Sequence, residues 1–192
     1  MARSERRAQL LATARELIRE DGTDGLTLAR LAERAGVTKP LVYDHFGDRA
    51  GVLAELYREF EAHQRETLDA ALEQGRHDLA TVVDLVSGAY LDCCVAEGRE
   101  MADVVAALSG SVALTSLRQE AEDAYLVMAR AALEPLAGPI PASALRAVVG
   151  AGDALARSVL DGDVTATDAR RVLARVVSAL VGDRDDSRRS DT

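Results

Sequence analysis

Residues 38–45, Thr-Lys-Pro-Leu-Val-Tyr-Asp-His, set a hydroxyl, a cation, a phenol, an imidazole and an aliphatic side chain within about two helical turns. Those groups suit a nucleic-acid duplex: hydroxyls and cations reach phosphates and base edges, and an apolar side chain suits a thymine methyl. Val42 and Phe46 lie four residues apart and make an inward face, which leaves Thr38, Lys39, Leu41, Tyr43 and His45 outside.

Catalytic arrangements are sparse by comparison. The histidines are His45, His63 and His77; Glu59 and His63 share a helix face at i, i+4 and read as a surface pair, without the Glu-x-x-His spacing of a di-iron helix. Cys93 and Cys94 are adjacent, a poor geometry for a disulfide, and lack C-x-x-C spacing, so they read as inert thiols in a reducing compartment. No Gly-rich phosphate loop or Gly-x-Ser-x-Gly elbow occurs. The expectation is therefore no catalytic residue, no metal ligand and no cofactor.

Glycine and proline divide the chain into helices, and no period-2 strand of useful length is found, so the fold reads as all-α. Over 3–20 the residues Leu10, Leu11, Ala14, Leu17 and Ile18 form one stripe that ends at Gly22. Thr27 caps a short helix over 28–35, Gly36 closes it in a left-handed conformation, and Thr38 caps the next, with Pro40 in its first turn. A longer helix followed by two short ones around Gly36-Val37 makes a helix-turn-helix domain at 1–47. Asp48 caps a helix over 49–73, and breaks are expected at Gly75, Gly98, Ser109-Gly110-Ser111 and from Pro135 to Pro141. Helices follow Asp78 and cover 99–108, 115–133, 141–160 and 168–181, giving a second domain at 48–182; 183–192 has no apolar residue and reads as a disordered tail.

A chain of 192 residues can bury a sizeable core, and 48% hydrophobic with 29% charged residues excludes wholesale disorder. No apolar run approaches the roughly 18 residues of a membrane span, and the charged N-terminus is unlike a signal peptide, so a cytoplasmic protein without a membrane partner is expected. The net charge of −9 is unevenly spread: residues 1–49 hold nine basic against eight acidic side chains, and the remainder holds 14 against 24. An acidic body repels polyanions, so any contact with DNA belongs to the N-terminal quarter.

The stretch TLARLAERAGVTKPLVYDHFGDRAGVL, Thr27 to Leu53, resembles the helix-turn-helix and following helix of the TetR family of bacterial transcriptional regulators. The Gly-Val-Thr turn, the Tyr43-x-His45-Phe46 ending and Arg49 three positions on all carry the likeness, which covers 10–57. The resemblance implies phosphate contacts from Thr27, Thr38, Tyr43, His45 and Arg49, and base contacts from Lys39 and Leu41. Asp44 departs from the family pattern and is expected to face the arginines of the first helix instead of DNA.

The family's helical C-terminal domain implies a small apolar or amphipathic effector, enclosed by the helices of 49–133. Candidate lining residues are Tyr57, Phe60, Tyr90, Cys94, Met101, Val105, Leu108, Leu117, Tyr125 and Met128. It also implies that the last two helices pair with their twins in a homodimer, here through Leu145, Val149, Gly152, Leu155, Val159, Val172, Val176 and Leu180. The expected protein is a ligand-responsive regulator, a repressor of a palindromic double-stranded DNA operator. The alternatives are a small-molecule-binding helical protein with a vestigial helix-turn-helix and an all-α enzyme; Lys39, Tyr43 and Arg49 count against the first, and the missing nucleophile and metal constellations against the second.

Overall fold

The computed structural model describes residues 2–73, 78–108 and 112–182. His77, the breaks at Gly75 and Ser109-Gly110-Ser111, and the tail 183–192 lie outside the described residues. Among the described residues eight helices run in chain order: α1 Arg3–Asp21, α2 Leu28–Arg34, α3 Lys39–Phe46, α4 Arg49–Leu72, α5 Leu79–Leu108, α6 Val112–Ala137, α7 Ala142–Asp161 and α8 Ala166–Gly182. A single 3-10 turn, Thr23–Gly25, lies between α1 and α2, and no strand occurs among the described residues.

Local chemistry explains most of these boundaries. Gly22 ends α1 at φ 69°, its N–H on the Ile18 carbonyl at 2.8 Å. Past α2, Gly36 at φ 65° donates to the Glu33 carbonyl at 3.2 Å and Val37 to that of Ala32 at 2.9 Å. These paired bonds form a Schellman stop, and they aim the chain into α3. Asp48 accepts from the Gly51 N–H at 2.8 Å to start α4, Asp78 from that of Thr81 at 2.8 Å to start α5, and Thr165 from that of Asp168 at 3.1 Å to start α8.

Two expected breaks behave differently. Gly98 sits inside α5 at φ 78°, ψ −171°, so the helix kinks there. Pro135 does not end the preceding helix, which continues to Ala137 and stops at Gly138, φ 85°. Proline in a last turn forfeits one backbone hydrogen bond, and a clamp holds that turn: Arg130 donates to Glu134 at 2.9 Å and to the Ile140 carbonyl at 2.8 Å.

The chain forms two compact units that do not follow its order: Met1–His63 with Glu97–Ala121, and Gln64–Ala96 with Glu122–Thr192. In the first, the α1 stripe Leu10, Leu11, Ala14, Leu17 and Ile18 is buried, as are Leu28, Leu31, Val42 and Phe46. Arg15 meets Glu97 at 2.7 Å and Arg19 meets Glu100 at 2.7 Å, tying α1 to α5 around the Gly98 kink. Burial alone would raise the Glu100 carboxyl, but Arg19 holds it below the ordinary carboxylate range.

In the second unit, parts of α4, α5 and α6 share a core with α7 and α8, including Leu68, Val86, Leu91, Leu133, Leu145 and Leu173. α5 contains an 18-residue window of mean hydropathy 1.6, so by length and composition it is able to cross a membrane even though uninterrupted apolar runs are short. Its Val82, Val83, Val86, Tyr90 and Leu91 are core residues of this unit, which accounts for that apolarity.

Candidate nucleic-acid interface and effector pocket

α3 buries Val42 and Phe46, and its N-terminal half leaves Thr38, Lys39 and Pro40 exposed. Tyr43 is 55% exposed, an unusual position for a large aromatic side chain, while Leu41 and His45 are half-buried at the flanks. Thr38 occupies the cap position without a side-chain cap bond. Thr27 caps α2 by accepting from the Arg30 N–H at 3.2 Å.

The C-terminal end of α3 is held by α1. Arg3 donates to the Asp44 carbonyl at 3.5 Å and Arg7 to the His45 carbonyl at 3.3 Å, placing cations on the negative end of the helix dipole. Thus Asp44 meets the first helix through its backbone, and its side chain remains exposed. Arg7 also pairs with Glu55 and lies 5.4 Å over the Phe46 ring. Burial, together with Arg3 and Arg7, pushes His45 below the ordinary histidine range, and its Nδ1 is buried without a hydrogen-bond partner.

Arg49 makes two hydrogen bonds within the protein. Its Nε donates to the Leu26 carbonyl at 3.1 Å and its Nη2 to that of Thr23 at 2.6 Å, with Asp24 at 3.7 Å. Gly51 carries a constraint that periodicity did not single out: a Cβ there would lie 1.9 Å from the Phe46 carbonyl oxygen. The only signal in the sequence was a glycine in the first turn of a long helix, where alanine has the better propensity.

The ten effector-pocket candidates are shared between the units. Tyr57, Phe60, Met101, Val105, Leu108 and Leu117 belong to the first, where the Tyr57 and Phe60 rings lie 6.1 Å apart. Tyr90, Cys94, Tyr125 and Met128 belong to the second. There Tyr90 and Tyr125 meet edge to face at 5.4 Å and line a small internal cavity of about 10 Å³ with Val86, Leu126 and Leu145. That volume admits roughly one water molecule. Met128 instead lines an open groove with Leu72, Val82 and Leu136.

The dimer candidates fall on two faces. Leu145, Val149 and Gly152 are buried by their own chain, Leu155, Val159, Val176 and Leu180 are half-buried, and Val172 is 45% exposed. Gly152 makes room for the Tyr90 ring: a Cβ would lie 2.4 Å from its Cε1. The close approach that this small residue permits is therefore to α5 of the same chain.

A family model of bacterial regulatory proteins, the tetR family, matches residues 10–56. The class C tetracycline repressor protein of Escherichia coli is 44% identical over 50 residues, 26% of this chain and 23% of that protein. The matched segments span between 22% and 33% of the curated relatives' lengths. Among solved structures, a TetR-like transcriptional regulator from Rhodococcus sp. RHA1 superposes with a TM-score of 0.73 at 19% identity, over 96% of this chain and 100% of the other. FadR from Bacillus subtilis, a transcriptional regulator in complex with stearoyl-CoA, has a TM-score of 0.72 at 19% identity, over 92% and 99%. The fold is that of TetR-like regulators. The resemblance read from Thr27 to Leu53 falls within the segment 10–56 that matches the tetR-family model.

Proposed function

We propose that this chain is a transcriptional repressor that binds a palindromic DNA operator as a homodimer and is released by a small apolar or amphipathic effector. The observation that carries the proposal is α3 itself. Val42 and Phe46 lock the helix to its domain, while Thr38, Lys39 and Tyr43 are exposed to solvent at and along it. A helix so presented places a cation and hydroxyls at the floor and walls of a major groove. Thr27, Thr38, Tyr43 and His45 take phosphates; Lys39 and Leu41 take base edges. A gel-shift assay with DNA from upstream of the protein's own gene tests the reading directly.

Within that interface Lys39→Ala should lose about 1–3 kcal/mol on the operator and little on random DNA, as measured by competition shifts. Equal losses on both would make Lys39 a phosphate contact. Arg49 takes a positioning role, because its guanidinium already holds the turn before α2. Arg49→Ala should lower the melting temperature while the salt dependence of operator binding keeps its slope; a slope flatter by about one unit would place Arg49 on a phosphate.

The dimer seam is assigned to the outer face of α7 and α8, where Val172, Val176 and Leu180 combine with Leu155 and Val159. Two recognition helices about 34–36 Å apart then enter successive major grooves. α4 is one continuous helix with Arg49–His63 in the first unit and its remainder in the second, so a tilt imposed at one end reaches the other. By linkage, an effector that disfavours the DNA-competent tilt binds less tightly when operator is present. The stearoyl-CoA held by FadR supports an amphipathic class of effector.

A further inference from the structure

The exposed residues of α3 are Lys39, Pro40, Tyr43 and Asp44. At about 100° of turn per residue, the direction opposite the midpoint of Val42 and Phe46 falls on Asp44. Of the α3 side chains it therefore faces most directly away from its own domain. Its carboxylate has no hydrogen bond and no ion pair among the described residues; Arg3 reaches the backbone carbonyl of Asp44, at 3.5 Å, and not the carboxylate.

The fold alone does not call for this aspartate. Aspartate is a weak helix former, and in a last turn its charge opposes the negative end of the helix dipole, where Arg3 and Arg7 are the stabilising groups. Nor does it govern the neighbouring imidazole. Burial first, then Arg3 and Arg7, hold His45 below its ordinary range against the opposite pull of Asp44.

A duplex narrows what such a carboxylate can meet. Phosphates repel it, and so do the acceptors O6 and N7 of guanine and O4 of thymine. Adenine sets its N7 acceptor beside the N6 donor, whereas cytosine offers the N4 amine alone. On a helix that enters the major groove, the group that satisfies Asp44 is therefore a cytosine amine.

We propose that Asp44 is a specificity-determining residue of the interface, and that its carboxylate accepts a hydrogen bond from the N4 amine of an operator cytosine. This inference rests on the DNA-binding reading above and adds a base preference to it: Lys39 seeks an acceptor at the start of α3, and Asp44 a donor nearer its end. Wherever that cytosine is missing the carboxylate is repelled, so Asp44 also weakens binding to DNA at large.

Selection from a pool of random-sequence DNA duplexes, with the full chain and with Asp44→Ala and Asp44→Asn, tests it. The unaltered protein should select a sequence holding a cytosine whose replacement costs at least about tenfold in affinity, the scale of one mismatched base pair. Asp44→Ala should accept all four bases at that position, keep the rest of the sequence, and bind unselected DNA more tightly. Asp44→Asn should turn the same position toward adenine, because an amide meets N6 and N7 together. Thermal melts of both variants should match that of the unaltered protein. Identical selected sequences for the three proteins, relaxation at a base other than cytosine, or a loss spread evenly over all positions overturns the assignment while the DNA-binding reading stands. An unaltered protein that enriches no sequence overturns that reading, and the assignment with it.

Discussion

Val149→Glu is expected to unfold the second unit, whereas Val172→Glu leaves it folded and monomeric. Val149 is 7% exposed and belongs to the core that contains Tyr90, Leu145 and Leu173. A carboxylate without a partner there costs on the order of 3–5 kcal/mol, a large share of the roughly 5–15 kcal/mol that holds a domain together. Val172 is 45% exposed on α8, so glutamate at that position meets water in the single chain and is desolvated only when a second copy docks. Circular dichroism melts should show a lost or strongly lowered transition for the first variant and a near-native one for the second. Sedimentation should then find the second as a monomer with weakened operator binding. A dimeric Val172→Glu protein would move the seam to another face, and a stably folded monomer of Val149→Glu would return Val149 to it.

Gly51→Ala is expected to abolish operator binding with only a modest effect on expression. The added Cβ falls 1.9 Å from the Phe46 carbonyl oxygen, a backbone atom that has no rotamer to escape into. α3 and α4 must separate, at a cost of about 1–3 kcal/mol typical of overpacking, and the recognition helix turns with them. An operator affinity equal to that of the unaltered protein would show that the junction relaxes without moving α3.

The helices and their stops were largely legible because they rest on local chemistry. The stop at Gly36 and the caps at Thr27 and Asp48 each depend on a residue type whose preference acts over a single turn. Pro135 escaped because its effect is set by the clamp of Arg130 on Glu134 and Ile140, a contact between residues up to ten apart. Arg49 shows the limit for sites: the sequence identifies a cation beside the recognition helix, but only the fold reveals that the carbonyls of Thr23 and Leu26 take two of its five N–H donors. On α7 the hydrophobic stripe is wide enough to serve two surfaces, and periodicity does not divide Leu145 and Val149 from Leu155 and Val159. Tyr90 and Cys94 stood out as buried candidates in the sequence, whereas their partners are set by folding, which brings Asp153 to 2.6 Å from the Tyr90 hydroxyl and Gln64 to 3.5 Å from the Cys94 sulfur.

The compact units part in the middle of α4, α5 and α6, at positions 63, 96 and 121, and each dividing point lies inside a helix. This chain is therefore not modular in the way its order suggests. An engineer who transplants residues 1–63 onto another helical protein carries Arg15 and Arg19 along and leaves Glu97 and Glu100 behind, stripping both guanidinium groups of these partners at 2.7 Å. The transferable part is a two-piece graft, Met1–His63 together with Glu97–Ala121, and chimaeras joined inside the three helices with the register preserved should inherit operator choice without losing their folded state.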